Sequence, residues 1–419
     1  MKDRMFGIES EYAFVAFDRA GNSLDRERSA LMFFEGAQGK LVSLPDIRGR
    51  LFLENGSCLY IDCGPHPEFA TPECTTPWEA VRYVKAGELI LKSLTSVERV
   101  ESNGARNFVL FRSNVDYSGA RTTWGCHESY LHTADPGVLF EQILPHLVSR
   151  IIYTGSGGFD NRIRSVRFLL SPRVPHLVRA ESDQSTIARG IWHSKDEPLC
   201  GNHRGYHRLH VLAGENLCSE KAIFLKVGTT ALIVALIEAG MCPGDAVKLR
   251  NPVAAMRRFA ASTDCTATAP LQGGGQATAI EIQSRYLEAV EANLGRDFMP
   301  AWAPRVCAEW RATLERLRDA PASVCTELDW AIKLTCFEHH IASRGVNWND
   351  LNIPFLLSAH RGQIAGERLA RLASMLEAFL GPDEDEIELE HDSLVCGSQP
   401  DNACVQRSVA EELFVMDLE

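Results

Sequence analysis

The sequence lacks any apolar run long enough to span a bilayer. A membrane helix needs roughly 20 consecutive apolar residues, and the longest candidate, Thr229 to Ala239, reads as a buried helix segment instead. A basic surplus is missing too. The net charge of −12 argues against general nucleic-acid binding, which needs a basic, phosphate-neutralising surface. Neither a membrane nor a nucleic acid is therefore expected as a partner. The 13 cysteines contain no C-x-x-C pair and no ladder of short spacings. The opening MKDRMFGIESEY has no apolar signal core. The cysteines are accordingly expected to be reduced thiols of a cytoplasmic protein, packed as small hydrophobes. Thr154-Gly-Ser-Gly-Gly and Gln272-Gly-Gly-Gly-Gln fit neither G-x-x-x-x-G-K-[ST] nor a strand-linked G-x-G-x-x-G, and read as flexible turns. No G-x-S-x-G elbow is present, and no cysteine has the local context of a nucleophile.

What remains is an ordinary globular composition, 45% hydrophobic and 23% charged over 419 residues. That length allows two or three average domains, or one large domain with an appendage, and a substantial core. Alternation predicts one strand over Phe6–Phe17 and another over Phe52–Ile61 with a turn at Asn55-Gly56. Asn107–Asn114, Gly125–His132, Val166–Leu170 and His207–Ala213 also read as extended. Helices are predicted over Trp78–Val97, started by Thr76-Pro77, and over Leu139–Tyr153, Ser219–Ala239, Ala279–Leu294 and Ala303–Arg318. Strands dominate the first half and helices the second, which indicates an α+β fold. The acidic run opening at Gly381-Pro-Asp-Glu is either solvated surface or the border of a small C-terminal unit.

Chemistry concentrates in a few places. Glu9 and Glu11, two apart on a strand, project from one face. Their mutual repulsion suits an intervening hard cation such as magnesium, but taken alone the pair reads first as two solvated glutamates on an exposed strand face. In the stretch Tyr60 to Glu73, prolines at 65, 67 and 72 stiffen a loop that would hold Asp62, Glu68 and Thr71 in place for metal binding or proton abstraction. His127 sits in a predicted strand. Arg208 and His210 share a strand face, the pattern of a phosphate clamp beside a metal ligand. Lys195 opens a charged turn, and His339-His340 reads as a surface pair.

Several of these segments resemble the family of the ligase and depupylase of Pup, the prokaryotic ubiquitin-like protein. They are Gly7-Ile-Glu-Ser-Glu-Tyr, Asn55-Gly-Ser-Cys-Leu-Tyr-Ile-Asp, His66-Pro-Glu-Phe-Ala-Thr-Pro-Glu, Gly125-Cys-His-Glu-Ser-Tyr, Lys195-Asp-Glu-Pro, Tyr206-His-Arg-Leu-His-Val and Asp329-Trp-Ala-Ile-Lys. The resemblance implies a glutamine synthetase-like large domain over residues 1–355, its antiparallel sheet forming a curved cradle backed by helices. A divergent small C-terminal domain would occupy 356–419. It also implies ATP and Mg²⁺ as cofactors, a Pup-like modifier ending in Glu or Gln as partner, and an amine-bearing acceptor. By motif, Asp62 corresponds to the catalytic base. Glu9, Tyr60 and Glu68 correspond to metal positions, with Glu11, His127 and His210 in the metal and phosphate shell. Thr71, Arg208 and Lys195 fall on the nucleotide side, and a nucleotide-packing tryptophan of the family falls around His391. Cys58 stands where the family usually has arginine, and Ser129 where it has asparagine.

The short distance from Glu11 to Asn55 leaves little room for the depupylase's inserted loop, so the ligase branch is favoured. A depupylase-like amidase, a ligase for a small acidic substrate, and a degenerate adaptor that binds modifier or nucleotide are the alternatives.

Overall fold

The computed structural model describes residues 4–18, 23–45, 49–62, 64–95, 105–117, 122–163, 166–184, 187–194, 205–343, 345 and 347–348. The described chain begins with strands β1 (Phe6–Glu11) and β2 (Ala13–Asp18), then helix α1 (Arg26–Lys40). Strands β3 (Ser43–Pro45), β4 (Leu51–Leu53), β5 (Cys58–Asp62) and β6 (His66–Ala70) lead to helix α2 (Pro77–Thr95). After β7 (Ala105–Phe111) and β8 (Cys126–His132) come helices α3 (Pro136–Ser149) and α4 (Ile151–Thr154). Five short strands follow: β9 (Gly158–Phe159), β10 (Phe168–Leu169), β11 (Arg179–Ser182), β12 (Gly190–His193) and β13 (His207–Val211). The remainder is largely helical, with α5 (Glu220–Glu238), α6 (Pro252–Ala260), the hairpin β14 (Thr268–Pro270) and β15 (Gln276–Thr278), α7 (Ala279–Glu291), α8 (Ala303–Asp319) and α9 (Asp329–Ser343).

Nine strands form one sheet in the order β11-β12-β13-β8-β1-β6-β5-β4-β3. All neighbours are antiparallel except β11 and β12. The alternation of β1 decides its two faces. Phe6 and Ile8 turn into the main core with Cys126 and Tyr130 of β8, Leu209 and Val211 of β13, and Ile191 of β12. Helix α5 closes that core from behind. It is buried almost throughout, as an apolar helix wrapped by others must be, and Ser219 caps it by accepting the Ala222 N–H. A second core joins Tyr12, Phe33, Leu51, Leu59, Phe69 and Phe108. It seats α1 and the β2–β7 pair against the other end of the sheet.

The α+β class and the helix-backed antiparallel sheet agree with expectation, as does the hairpin at Asn55-Gly56, where Gly56 takes a positive φ. The single strand expected over Phe6–Phe17 is two. Glu11 and Tyr12 donate their N–H groups to Gly125 and Pro67, while β2 leaves the sheet to pair with β7. Thr154-Gly-Ser-Gly-Gly is no flexible turn. Residues 155–158 are buried, and a Cβ on Gly155 would stand 2.2 Å from the Leu170 carbonyl oxygen. His339 is exposed as expected. The expected boundary at 355/356 and the C-terminal unit 356–419 lie outside the described residues.

Candidate functional site

The sheet face turned away from the main core gathers most of the residues singled out above. Register places them side by side: Glu9 opposite His127 and Ala70, Glu11 opposite Glu68, Tyr60 opposite Glu68, and Asp62 opposite His66. Farther along, His210 lies opposite Ser129 and His193. Because partners across an antiparallel ladder share a face, six strands, β1, β5, β6, β8, β12 and β13, contribute to one continuous polar surface.

Two clusters of metal-ligating side chains stand on it. Glu9, His127 and His210 form one, and Glu11, Asp62 and Glu68 the other; within each, the donor atoms lie within 4.8 Å of one another. In the first, Glu9 Oε2 is 3.9 Å from His127 Nδ1 and 3.8 Å from His210 Nε2. His210 Nε2 is sealed from solvent without a hydrogen-bond partner. Burial pushes both imidazoles below their ordinary pKa, aided at His210 by the Arg208 guanidinium. Neutral rings keep a lone pair for a cation. Arg208 flanks the cluster, donating from Nε to Ser129 Oγ at 2.9 Å and from Nη2 to Glu9 Oε1 at 3.4 Å.

The second cluster is all carboxylate. Burial pushes Glu11 up, but the contact with His66, the field of His127 and the Gly125 N–H outweigh it and hold the carboxyl down at about 2. Burial and the carboxylates of Glu9, Glu11 and Asp62 push Glu68 well above its usual range. Three carboxylates so close hold a proton between them unless a cation replaces it. The Tyr60 hydroxyl is hydrogen-bonded to Glu68, and burial with the surrounding carboxylates keeps it protonated. Asp62 is the least buried of the three acids and stands at the solvent side.

These donor sets fit divalent cations. Bonds of about 2.1 Å put neighbouring ligand atoms about 3 Å apart, so a separation of up to 4.8 Å closes with each side chain moving by about 1 Å or less. The carboxylate set matches a hard ion such as Mg²⁺, whereas two imidazoles and a carboxylate also accommodate Mn²⁺.

The face therefore brings together Glu9, Glu11, Tyr60, Asp62, Glu68, His127, Arg208 and His210. Thr71 lies just past β6, where its hydroxyl accepts the Ile8 N–H at 3.1 Å and ties that strand to β1. Cys58 shares the face, opposite Ala70. Lys195 and His391 lie outside the described residues. Sequence reasoning missed three contributors. His66 was visible only as part of a motif. His193 stacks on His210 with ring centroids 5.3 Å apart. Arg173 is a buried arginine whose field reaches Glu11, and its sequence surroundings, Ser-Pro-Arg-Val-Pro, carry no signal for it.

Comparison with known proteins bears on the same region. The model of a family described as "Pup-ligase protein" matches residues 4–357. A Pup–protein ligase of Acidimicrobium ferrooxidans is 36% identical over 341 residues, covering 80% of this chain and 73% of that protein. A Pup–protein ligase of Xylanimonas cellulosilytica is 34% identical, covering 84% and 78%. Among solved structures, the complex between Pup and its ligase PafA matches with a TM-score of 0.71 at 25% identity, over 98% of this chain and 80% of that one. PafA in complex with ADP matches with a TM-score of 0.62 at 28% identity, over 72% and 67%.

Proposed function

The chain belongs to the Pup-ligase family, and from that premise we propose that it uses ATP to join a glutamate carboxylate of a Pup-like modifier to an amine such as a lysine. The observation that carries this reading is the pair of cation-competent clusters on one sheet face, flanked by Arg208. Relatives over most of the chain are Pup–protein ligases, and an aligned structure holds ADP.

The carboxylate oxygen of the modifier attacks the γ-phosphorus of ATP, and ADP leaves. The amine nitrogen then attacks the acyl carbon, and inorganic phosphate leaves as the isopeptide bond forms. Mg²⁺ held by Glu11, Glu68 and the Glu9–His127–His210 set would neutralise charge on the transferring phosphoryl group. Arg208, poised by Ser129, supplies further positive charge beside it. Asp62 takes the proton from the attacking amine. Its place at the solvent side of its cluster makes it the acid that an incoming lysine can reach. The cytoplasm, where ATP is supplied, is the compartment this reading assigns; among the described residues no helix is long and apolar enough to cross a membrane.

Incubation with MgATP, a Glu-ended modifier and a lysine-bearing acceptor, followed by intact mass, tests the reading. It predicts an adduct lighter than its parts by one water, absent without ATP. Steady ATP turnover with no adduct would indicate a different substrate, and the absence of both adduct and turnover would sink the reading.

A further inference from the structure

Gly125 lies between the two clusters and touches both. Its N–H donates to Glu11 Oε2 at 2.8 Å, and its carbonyl accepts the Glu11 N–H at 3.0 Å. On the other side, a Cβ built on Gly125 would stand 2.6 Å from His127 Nε2 and 3.1 Å from Arg173 Nη2. The backbone there does not adopt the left-handed region, so alanine is excluded by space alone and not by conformation. The obstructed edge of the imidazole is the one opposite Nδ1, the atom that faces Glu9.

Arg173 makes the far wall rigid. Its guanidinium Nη1 donates to the carbonyls of Leu212, at 3.1 Å, and of Gly214. Its backbone N–H is held by Glu215 at 3.0 Å, and Glu215 also accepts from Ser156 and Ser171. A guanidinium pinned this way cannot retreat from an added methyl group; the His127 ring must turn instead.

We propose that Gly125 is a positioning residue that sets the spacing and orientation of the two cation sites, with Arg173 as the fixed wall that His127 shares with it. This rests on the two-cation reading above. Groups that orient metal ligands without binding metal commonly change affinity by about 10–100-fold when altered.

The test is Mn²⁺ titration of the full chain, followed by electron paramagnetic resonance and without any assay of turnover. Wild type is expected to bind two ions and to show their magnetic coupling; fewer than two would fail the cation reading itself, whatever Gly125 does. With wild type behaving so, Gly125→Ala should weaken one ion by about 10–100-fold and abolish the coupling. Gly273→Ala, where nothing lies within 4 Å of an added Cβ, should change neither. Wild-type affinity and coupling in Gly125→Ala would overturn the proposal. Should that variant melt early, Gly125→Ala/His127→Ala removes the 2.6 Å contact and leaves only the 3.1 Å one with Arg173, so it should fall below His127→Ala by much less than Gly125→Ala falls below wild type. A double variant that falls as far below His127→Ala as Gly125→Ala falls below wild type would assign Gly125 to the fold and overturn the proposal as well.

Discussion

Replacing Glu128 by glutamine probes how the floor of the site is held from behind. Glu128 lies between His127 and Ser129 on β8 but faces the opposite side, fully buried. Arg150 grips it with two hydrogen bonds of 2.8 and 2.6 Å, the Tyr130 hydroxyl donates at 2.6 Å, and Lys226 Nζ is 3.7 Å away. Glutamine preserves the shape and strips the charge, leaving two buried cations without their anion. Breaking a buried ion pair from one side costs about 3–5 kcal/mol, and the loss of one anion shared by two cations belongs at the upper end. Lys226→Met should cost less, because Glu128 keeps Arg150. Urea unfolding followed by tryptophan fluorescence measures both. The pH dependence has a definite sign. Burial pushes the Glu128 carboxyl up, but Arg150 and Lys226 outweigh it and hold it below 4.5. Its contribution is therefore complete above pH 4.5 and is lost as pH falls through the depressed folded value. The gap between wild type and Glu128→Gln should narrow only in that acid range. A gap under about 1 kcal/mol at neutral pH, within the ordinary range for a point mutation, or a larger cost for Lys226→Met, would refute the reasoning.

Three other outcomes are expected. Asp62→Asn should slow adduct formation by about 10²–10⁴-fold, the usual worth of a positioned base, while ADP binding measured by calorimetry stays near wild type. Arg208→Gln removes a charged donor worth about 1.5–3 kcal/mol, so ATP should bind about tenfold or more weakly in equilibrium titration, with ADP less affected; equal losses would move Arg208 away from the transferred phosphoryl group. Arg4→Ala should destabilise the start of β1, since Arg4 donates to Glu238 Oε2 at 2.6 Å and to the Leu131 carbonyl. Burial raises Glu238, but Arg4 pulls it lower, to about 2, so this contribution is whole above pH 4.5 and fades toward pH 2, as thermal melts of wild type and variant across that range would display.

Much of the site was legible because strand periodicity is a short-range property. Glu9 and Glu11, or Arg208 and His210, share a face whatever the rest of the chain does, and Asn55-Gly56 specifies its own turn. The same locality explains the failures. Nothing in Phe6–Phe17 announces the bend at Tyr12, which comes from N–H partners at Gly125 and Pro67. Helix α1 contains Gly36 and Gly39 and has a mixed face, so its helical period is blurred although Asp25 caps it. Arg173 reaches the site only because Leu212, Gly214 and Glu215 hold it there. The glycines at 155, 157 and 158 read as flexible until their neighbours are placed. Trp330 Cα, for instance, lies 2.6 Å from where a Cβ on Gly157 would be.

The central claim is that a carboxylate is activated by phosphorylation at this sheet face. It is tested most directly by labelling both oxygens of the modifier's terminal glutamate side chain with ¹⁸O and analysing the phosphate released during conjugation. The account predicts one ¹⁸O in each phosphate formed per isopeptide bond, since the oxygen that bonds to phosphorus departs with it. Phosphate carrying no label, alongside a conjugate formed at the normal rate, would contradict it.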